Sequence, residues 1–290
     1  MKNLIVNIYK TLFFFDLSIV IAYYLPTIRA KNAAMQSLWR EGIFLAVMIV
    51  FTFIFKRVVE RNRLKIFNTS NKLRHYSIGL ITGLVPSAFT VLVLMLIRKM
   101  KFSGINRPGH TLIWLAAIFL NVLATELLLR GYLFRLYRRY YGFAAVAVVI
   151  TLLYISLNPG IFKHGIIYPA NMLLNNFILC LLAEYSYSLL APVTAHFAYN
   201  AVSSLVLGSL SLYAEKPYLL KFTFSGNKIL SGGSVRLEGS IIMLIAQLAI
   251  CVYFICPRKK AATASSPAAL SAQGYMPPFF AHSSARAKQG

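Results

Sequence analysis

The sequence predicts an all-α protein, a polytopic transmembrane helical bundle of about eight spans, and three observations carry that expectation. Of its 290 residues 58% are hydrophobic and only 13% charged, whereas a soluble domain carries about a quarter charged residues. The apolar residues are gathered into runs. A hydrocarbon core about 30 Å thick takes about 20 residues of apolar helix, and windows of that kind fall at 4–25, 38–55, 77–97, 111–129, 142–157, 171–190, 193–213 and 239–256. Third, the 30 Lys and Arg, set against seven acids, lie mostly between these runs, as membrane flanks do.

Taken in order, the first window is interrupted by Lys10 and Asp16 but is long enough to span, which reads as an uncleaved anchor rather than a signal peptide. The second and fifth are short. The sixth and seventh are separated only by Ala191 and Pro192, where proline predicts a tight reversal. The loop 214–238 holds Ser225-Gly226-Asn227 and Ser231-Gly232-Gly233-Ser234, which are turn formers. Residues 257–290 change to Ala, Ser, Pro and Gly with scattered basic residues, the composition of a disordered tail. The chain therefore divides into N-terminal helices with a basic loop (1–110), a core (111–256) and the tail (257–290).

The densest basic cluster is Lys56, Arg57, Arg61, Arg63, Lys65, Lys72 and Arg74. Placing it in the cytoplasm puts both termini there and gives 17 basic residues inside against 12 outside. Arg98, Lys99, Lys101 and Arg107 dissent. The expected location is the plasma membrane with both termini cytoplasmic. The formal charge of +23 is matched to anionic lipid headgroups, not to nucleic acid, because the cations flank apolar runs. Cys180, Cys251 and Cys256 sit in apolar runs with no metal spacing. No Walker-type or GxGxxG phosphate loop is present.

Ionisable residues within a bilayer cost about 2.5–3.5 kcal/mol each on insertion scales, which makes them functional candidates. In the fourth window Glu126 and Arg130 stand four apart on one helical face, with Asn121 and Thr125 on a neighbouring stripe. Their other reading is a structural ion pair. In the seventh, His196 and Asn200 are one turn apart and can together donate two hydrogen bonds to one developing oxyanion; interhelical polar packing is the alternative. Tyr154 and Asn158 close the fifth window, where Asn158 before Pro159 also reads as a helix terminator. Asp16 and Glu184 are the remaining acids expected to be buried, suited to a transport path or to pairing. His75, His110, His164 and His282 fall in expected loops and read as surface residues.

These segments together resemble the CPBP family of intramembrane proteases, which includes the type II CAAX prenyl endopeptidases and bacterial proteins linked to bacteriocin immunity. The family pattern is Glu-Glu-x-x-x-Arg, then Phe-x-x-x-His, then His-x-x-x-Asn on successive helices. Here Thr125-Glu126-Leu-Leu-Leu-Arg130, Tyr154-Ile-Ser-Leu-Asn158 and His196-Phe-Ala-Tyr-Asn200 stand in the same order. The resemblance implies catalytic positions at Thr125, Glu126, Arg130, Asn158, His196 and Asn200. It also implies a membrane-associated or prenylated peptide as substrate, reached in a cytoplasm-facing intramembrane cavity.

Two positions depart from the pattern. The first glutamate and the second-motif histidine, the family's water-activating pair, are Thr125 and Asn158, neither a base near pH 7. Only Glu126 and His196 remain for proton transfer. Zinc follows from the family label alone, since catalytic zinc takes three protein ligands and only Glu126 and His196 can be nominated. The functional expectation is thus an intramembrane endopeptidase with rearranged water activation, or a pseudoenzyme that binds peptides, as an immunity protein would. A small transporter using Asp16, Glu126 and Glu184 is the third reading.

Overall fold

A computed structural model describes residues 2–26, 30, 32–61, 71–209 and 217–256; the expected tail 257–290, with His282, lies outside them. Each of the eight apolar windows contains a helix among the described residues. They form α1 (Lys2–Tyr24), α2 (Ala33–Ile54, widened into a π turn at Phe55–Val59), α3 (Lys72–Leu96) and α4 (Thr111–Glu126). A π turn at Leu127–Leu133 then leads from α4 into α5 (Phe134–Arg138). Next come α6 (Phe143–Leu157), α7 (Ile167–Ser186) and α8 (Leu190–Asn200, followed by a π turn at Ala201–Val206). After a short α9 (Lys228–Ser231) the chain ends its described part in α10 (Ile241–Ile255). Residues Met1–Ile255 make one compact unit.

Among the described residues six helices are long and apolar enough to cross a membrane: Leu4–Tyr24, Ala33–Val59, Lys72–Leu96, Thr111–Arg138, Ile167–Ser186 and Gly233–Ile255. The protein is an α-helical membrane protein. The second span, expected to be short, runs 27 residues because its helix continues through the basic flank to Val59. Phe143–Leu157 is shorter, as its sequence foretold.

The interior is assembled by small residues as much as by large ones. Gly79 and Gly83 on α3 lie so close to α8 that an added Cβ would meet the carbonyl oxygens of Ala191 at 2.4 Å and Ala195 at 2.2 Å. This is the small-xxx-small contact by which membrane helices gain van der Waals packing where no hydrophobic force drives them together. It sets α8, and with it His196, at backbone distance from α3. A buried aromatic group, Phe14, Phe55 and Tyr132, joins α1 and α2 to the π turn after α4.

Four expectations are corrected. The reversal before α8 falls at Tyr187, in the left-handed region (φ 50°), not at Ala191 and Pro192. Ser188 Oγ accepts from the Leu190 N–H at 3.1 Å, and Pro192 occupies the first helical turn, where a missing N–H costs nothing. Between α3 and α4, and again within the expected loop 214–238, lie strands β1 (Met100–Ile105) and β2 (Leu220–Phe224), which pair antiparallel. That pairing joins segments more than 110 residues apart, which local patterns do not report. His75 is buried in the first turn of α3 rather than on a loop. Asp16 is exposed on the outer face of α1, because the inward stripe of that helix is Asn7, Thr11, Phe14, Phe15 and Ser18.

Candidate active site

Glu126 is the last residue of α4 before the backbone widens into its π turn, and its side chain is fully buried. Arg130, one turn on, donates from Nη1 to Glu126 Oε1 at 3.0 Å. Its Nη2 donates to the backbone carbonyl of Asn176 on α7 at 2.9 Å, and also to the Asn176 side-chain oxygen. Asn176 in turn donates from Nδ2 to Thr151 Oγ1 of α6 at 3.1 Å. Burying an ion pair costs several kcal/mol per ion unless further hydrogen bonds compensate, and this network spreads the compensation over three helices.

His196 enters the same group from α8. Its Nδ1–H donates to Glu126 Oε1 at 2.8 Å, so one carboxylate oxygen receives both the guanidinium and the imidazole. Glu126 Oε2 is buried with no hydrogen-bond partner among the described residues. A ring whose Nδ1 is held by a carboxylate presents Nε2 as its free nitrogen.

His196 also stands on the wall of a cavity with about 90 Å³ of room for water, together with Thr125, Asn158 and Asn200. The four positions taken from three separate motifs thus share one chamber. Thr125 and Glu126, adjacent in sequence, point about 100° apart around the helix, so Thr125 faces the chamber while Glu126 and Arg130 stand behind His196. Asn158 is the C-cap of α6 and turns its Nδ2 back to the Tyr154 carbonyl at 2.8 Å. It therefore serves as the helix terminator its sequence predicts and lines the chamber at once.

Sequence reasoning missed four contributors. Asn176 orients Arg130, and nothing in its local sequence marks it. Glu41 of α2, buried, accepts from Asn121 Nδ2 at 2.8 Å and so tethers a chamber-lining residue; an acid in the second apolar window was the available signal. Gly79 and Gly83 fix the position of α8, and their spacing of four within an apolar span was legible. Two nominated acids fall outside the site. Glu184 is forked by Arg138 through Nε and Nη2 at 2.7–3.1 Å, and Asp16 faces outward.

The residues do not fit a zinc ion. Among the described residues no three His, Cys, Asp or Glu side chains converge, and Glu126 Oε1 is already taken up by His196 and Arg130.

The chamber lies in the half of the bundle nearer the β1–β2 end. Its lining comes from Phe44 of α2, Ile118, Asn121 and Thr125 of α4, the end of α6, the first half of α7, the stretch from His196 to Ser204 and Glu238 just before α10. The opposite end holds the start of α1, the end of α2 and the Arg138–Glu184 fork. Two expectations therefore exclude each other: with the termini in the cytoplasm, the chamber sits toward the other side of the membrane.

A family model described as Type II CAAX prenyl endopeptidase Rce1-like matches residues 107–202, a stretch that contains all three motifs. No curated protein and no solved structure matches the chain.

Proposed function

We propose, from the premise that this chain belongs to the CPBP family of CAAX-protease-like membrane proteins, that it is an intramembrane endopeptidase acting on membrane-associated or lipidated peptides. The observation that supports this most is the His196–Glu126 hydrogen bond at 2.8 Å with His196 on the chamber wall. Peptide hydrolysis requires a base for water, an acid for the leaving amine and donors for the oxyanion. His196 Nε2 takes a proton from water as the hydroxide oxygen bonds to the carbonyl carbon. The Asn200 amide donates to the resulting oxyanion. The imidazolium then returns its proton to the amine nitrogen as the C–N bond breaks. Glu126, held by Arg130, fixes the imidazole tautomer and balances the imidazolium charge, as the carboxylate of a hydrolase triad does.

A second reading follows from Thr125 and Asn158. With neither a carboxylate nor an imidazole at those positions, and with the Asn158 amide spent on its own helix, the chamber would bind a peptide without cutting it, as an immunity protein would. A transporter is disfavoured by the Arg138–Glu184 fork and the outward Asp16.

Cleavage of a quenched farnesylated peptide by the purified protein separates the first two. Cleavage that falls about 10²–10⁴-fold in His196→Ala, the usual contribution of a general base, supports the endopeptidase. Cleavage seen only after Thr125→Glu with Asn158→His makes the natural chain a binding protein.

Sidedness is tested separately, in a Cys256→Ser background carrying Ser225→Cys beside β2. With the plasma membrane as location and the termini cytoplasmic, a membrane-impermeant thiol reagent added to intact cells labels the new cysteine, and the substrate is an exported peptide. Labelling only after lysis would place the termini outside and the chamber toward the cytoplasm.

A further inference from the structure

At the end of the bundle away from the chamber, three cations from three separate segments border one pocket. Lys10 comes from α1, Arg61 from just after the π turn of α2, and Arg139 from just after α5; Val59, Glu60 and Tyr140 complete the lining of about 280 Å³. Glu60 is buried and accepts from Lys10 Nζ at 2.5 Å, which neutralises one of the three. Arg61 and Arg139 are exposed and form no ion pair among the described residues. Arg139 lies over the Tyr140 ring at 5.5 Å.

Arg61 carries a left-handed backbone (φ 48°). For a non-glycine residue that conformation costs about 1–2 kcal/mol, and here it sets the guanidinium on the pocket wall. The pocket is positioned by the limits of two spans, Ala33–Val59 and Thr111–Arg138. Its cations therefore stand where the hydrocarbon core gives way to headgroups. A surplus of two guanidinium groups at that depth matches a phosphate, which guanidinium forks recognise in a bidentate manner.

We infer that this pocket binds the phosphate of an anionic phospholipid headgroup, docking the α1, α2 and α5 ends to the membrane surface. Thermal unfolding of the full chain in neutral micelles tests it, with phosphatidylglycerol, phosphatidylcholine or inorganic phosphate added. Phosphatidylglycerol should raise the midpoint and phosphatidylcholine should not. In the Arg61→Gln, Arg139→Gln double variant the apparent affinity should fall about 25-fold, from about fivefold for each basic residue at an anionic surface. Arg61→Lys with Arg139→Lys should keep part of the shift, since both charges stay while the bidentate forks are lost, which separates lost charge from a damaged fold. An equal shift by inorganic phosphate, lost in the double Gln variant, would support the phosphate site with a soluble ligand. A phosphatidylglycerol shift unchanged in the double Gln variant, or matched by the loss in an Arg107→Gln, Lys228→Gln control at the opposite end, would overturn it.

Discussion

Two Glu–Arg pairs are built on the long helix Thr111–Arg138, and they are put to different uses. Arg138 grips Glu184 of α7 with a two-pronged fork and also donates to the Tyr141 carbonyl at 3.1 Å. That pair is partly exposed, with side chains 8% and 22% accessible, and it clamps α5 to α7. The Glu126–Arg130 pair is wholly buried, yet Glu126 Oε2 and Arg130 Nε are left without partners, while Oε1 carries a histidine that faces a chamber. A pair whose purpose is to hold two helices together fills its hydrogen-bonding capacity. A pair that keeps a third, titratable side chain in place gives up part of that capacity to position it.

Substitutions can break this contrast, and the largest effect is expected at the buried pair. Arg130→Met leaves Glu126 buried without its guanidinium, and removing one partner of a buried pair costs about 3–5 kcal/mol; a steep drop in thermal midpoint in detergent, with His196-dependent activity lost alongside, is the expected result. A midpoint close to that of the natural chain would mean that His196 alone suffices to hold Glu126. Next comes the packing that sets His196 in place. Gly83→Val drives a side chain into the Ala195 carbonyl at a site with 2.2 Å of room, and overpacking costs about 1–3 kcal/mol. Activity should fall further than the midpoint, because α8 must shift to relieve the clash. The smallest effect belongs to the clamp. Arg138→Gln should lower stability by about 1 kcal/mol, in line with partly exposed pairs, and leave peptide cleavage unchanged; a loss of cleavage equal to that of Arg130→Met would erase the distinction between the two pairs.

Much of the site was legible because its chemistry is written in short, local spacings. Glu126 with Arg130, and His196 with Asn200, are each one helical turn apart, and any helix places such residues on one face. Asn158 before Pro159 ends a helix for a reason local to the backbone. What could not be read locally was which groups meet across helices. Glu126 and His196 are 70 residues apart, and only the close approach of α8 to α3 and α4 makes them partners. The partners of Asn176 and Glu41 were hidden for the same reason, since each acts through long-range hydrogen bonds. The misplacement of Asp16 has a related cause: composition marks an acid in a span, but the inward stripe of α1 is fixed by its neighbours.

The sequence by itself determined that the chain lives in a membrane, that its helices fall where the apolar runs fall, and that Glu126 with Arg130, Tyr154 with Asn158, and His196 with Asn200 follow in that order at one-turn spacings. Those are consequences of hydrophobic length and of covalent spacing, which no packing arrangement can alter. Only the tertiary structure decided that Thr125, Asn158, His196 and Asn200 share one chamber, that Glu126 holds His196 rather than facing the chamber itself, and that the chamber lies away from the basic end. Each of these depends on the rotation of a helix about its axis and on the end at which it begins, and both are set by contacts between segments distant in sequence.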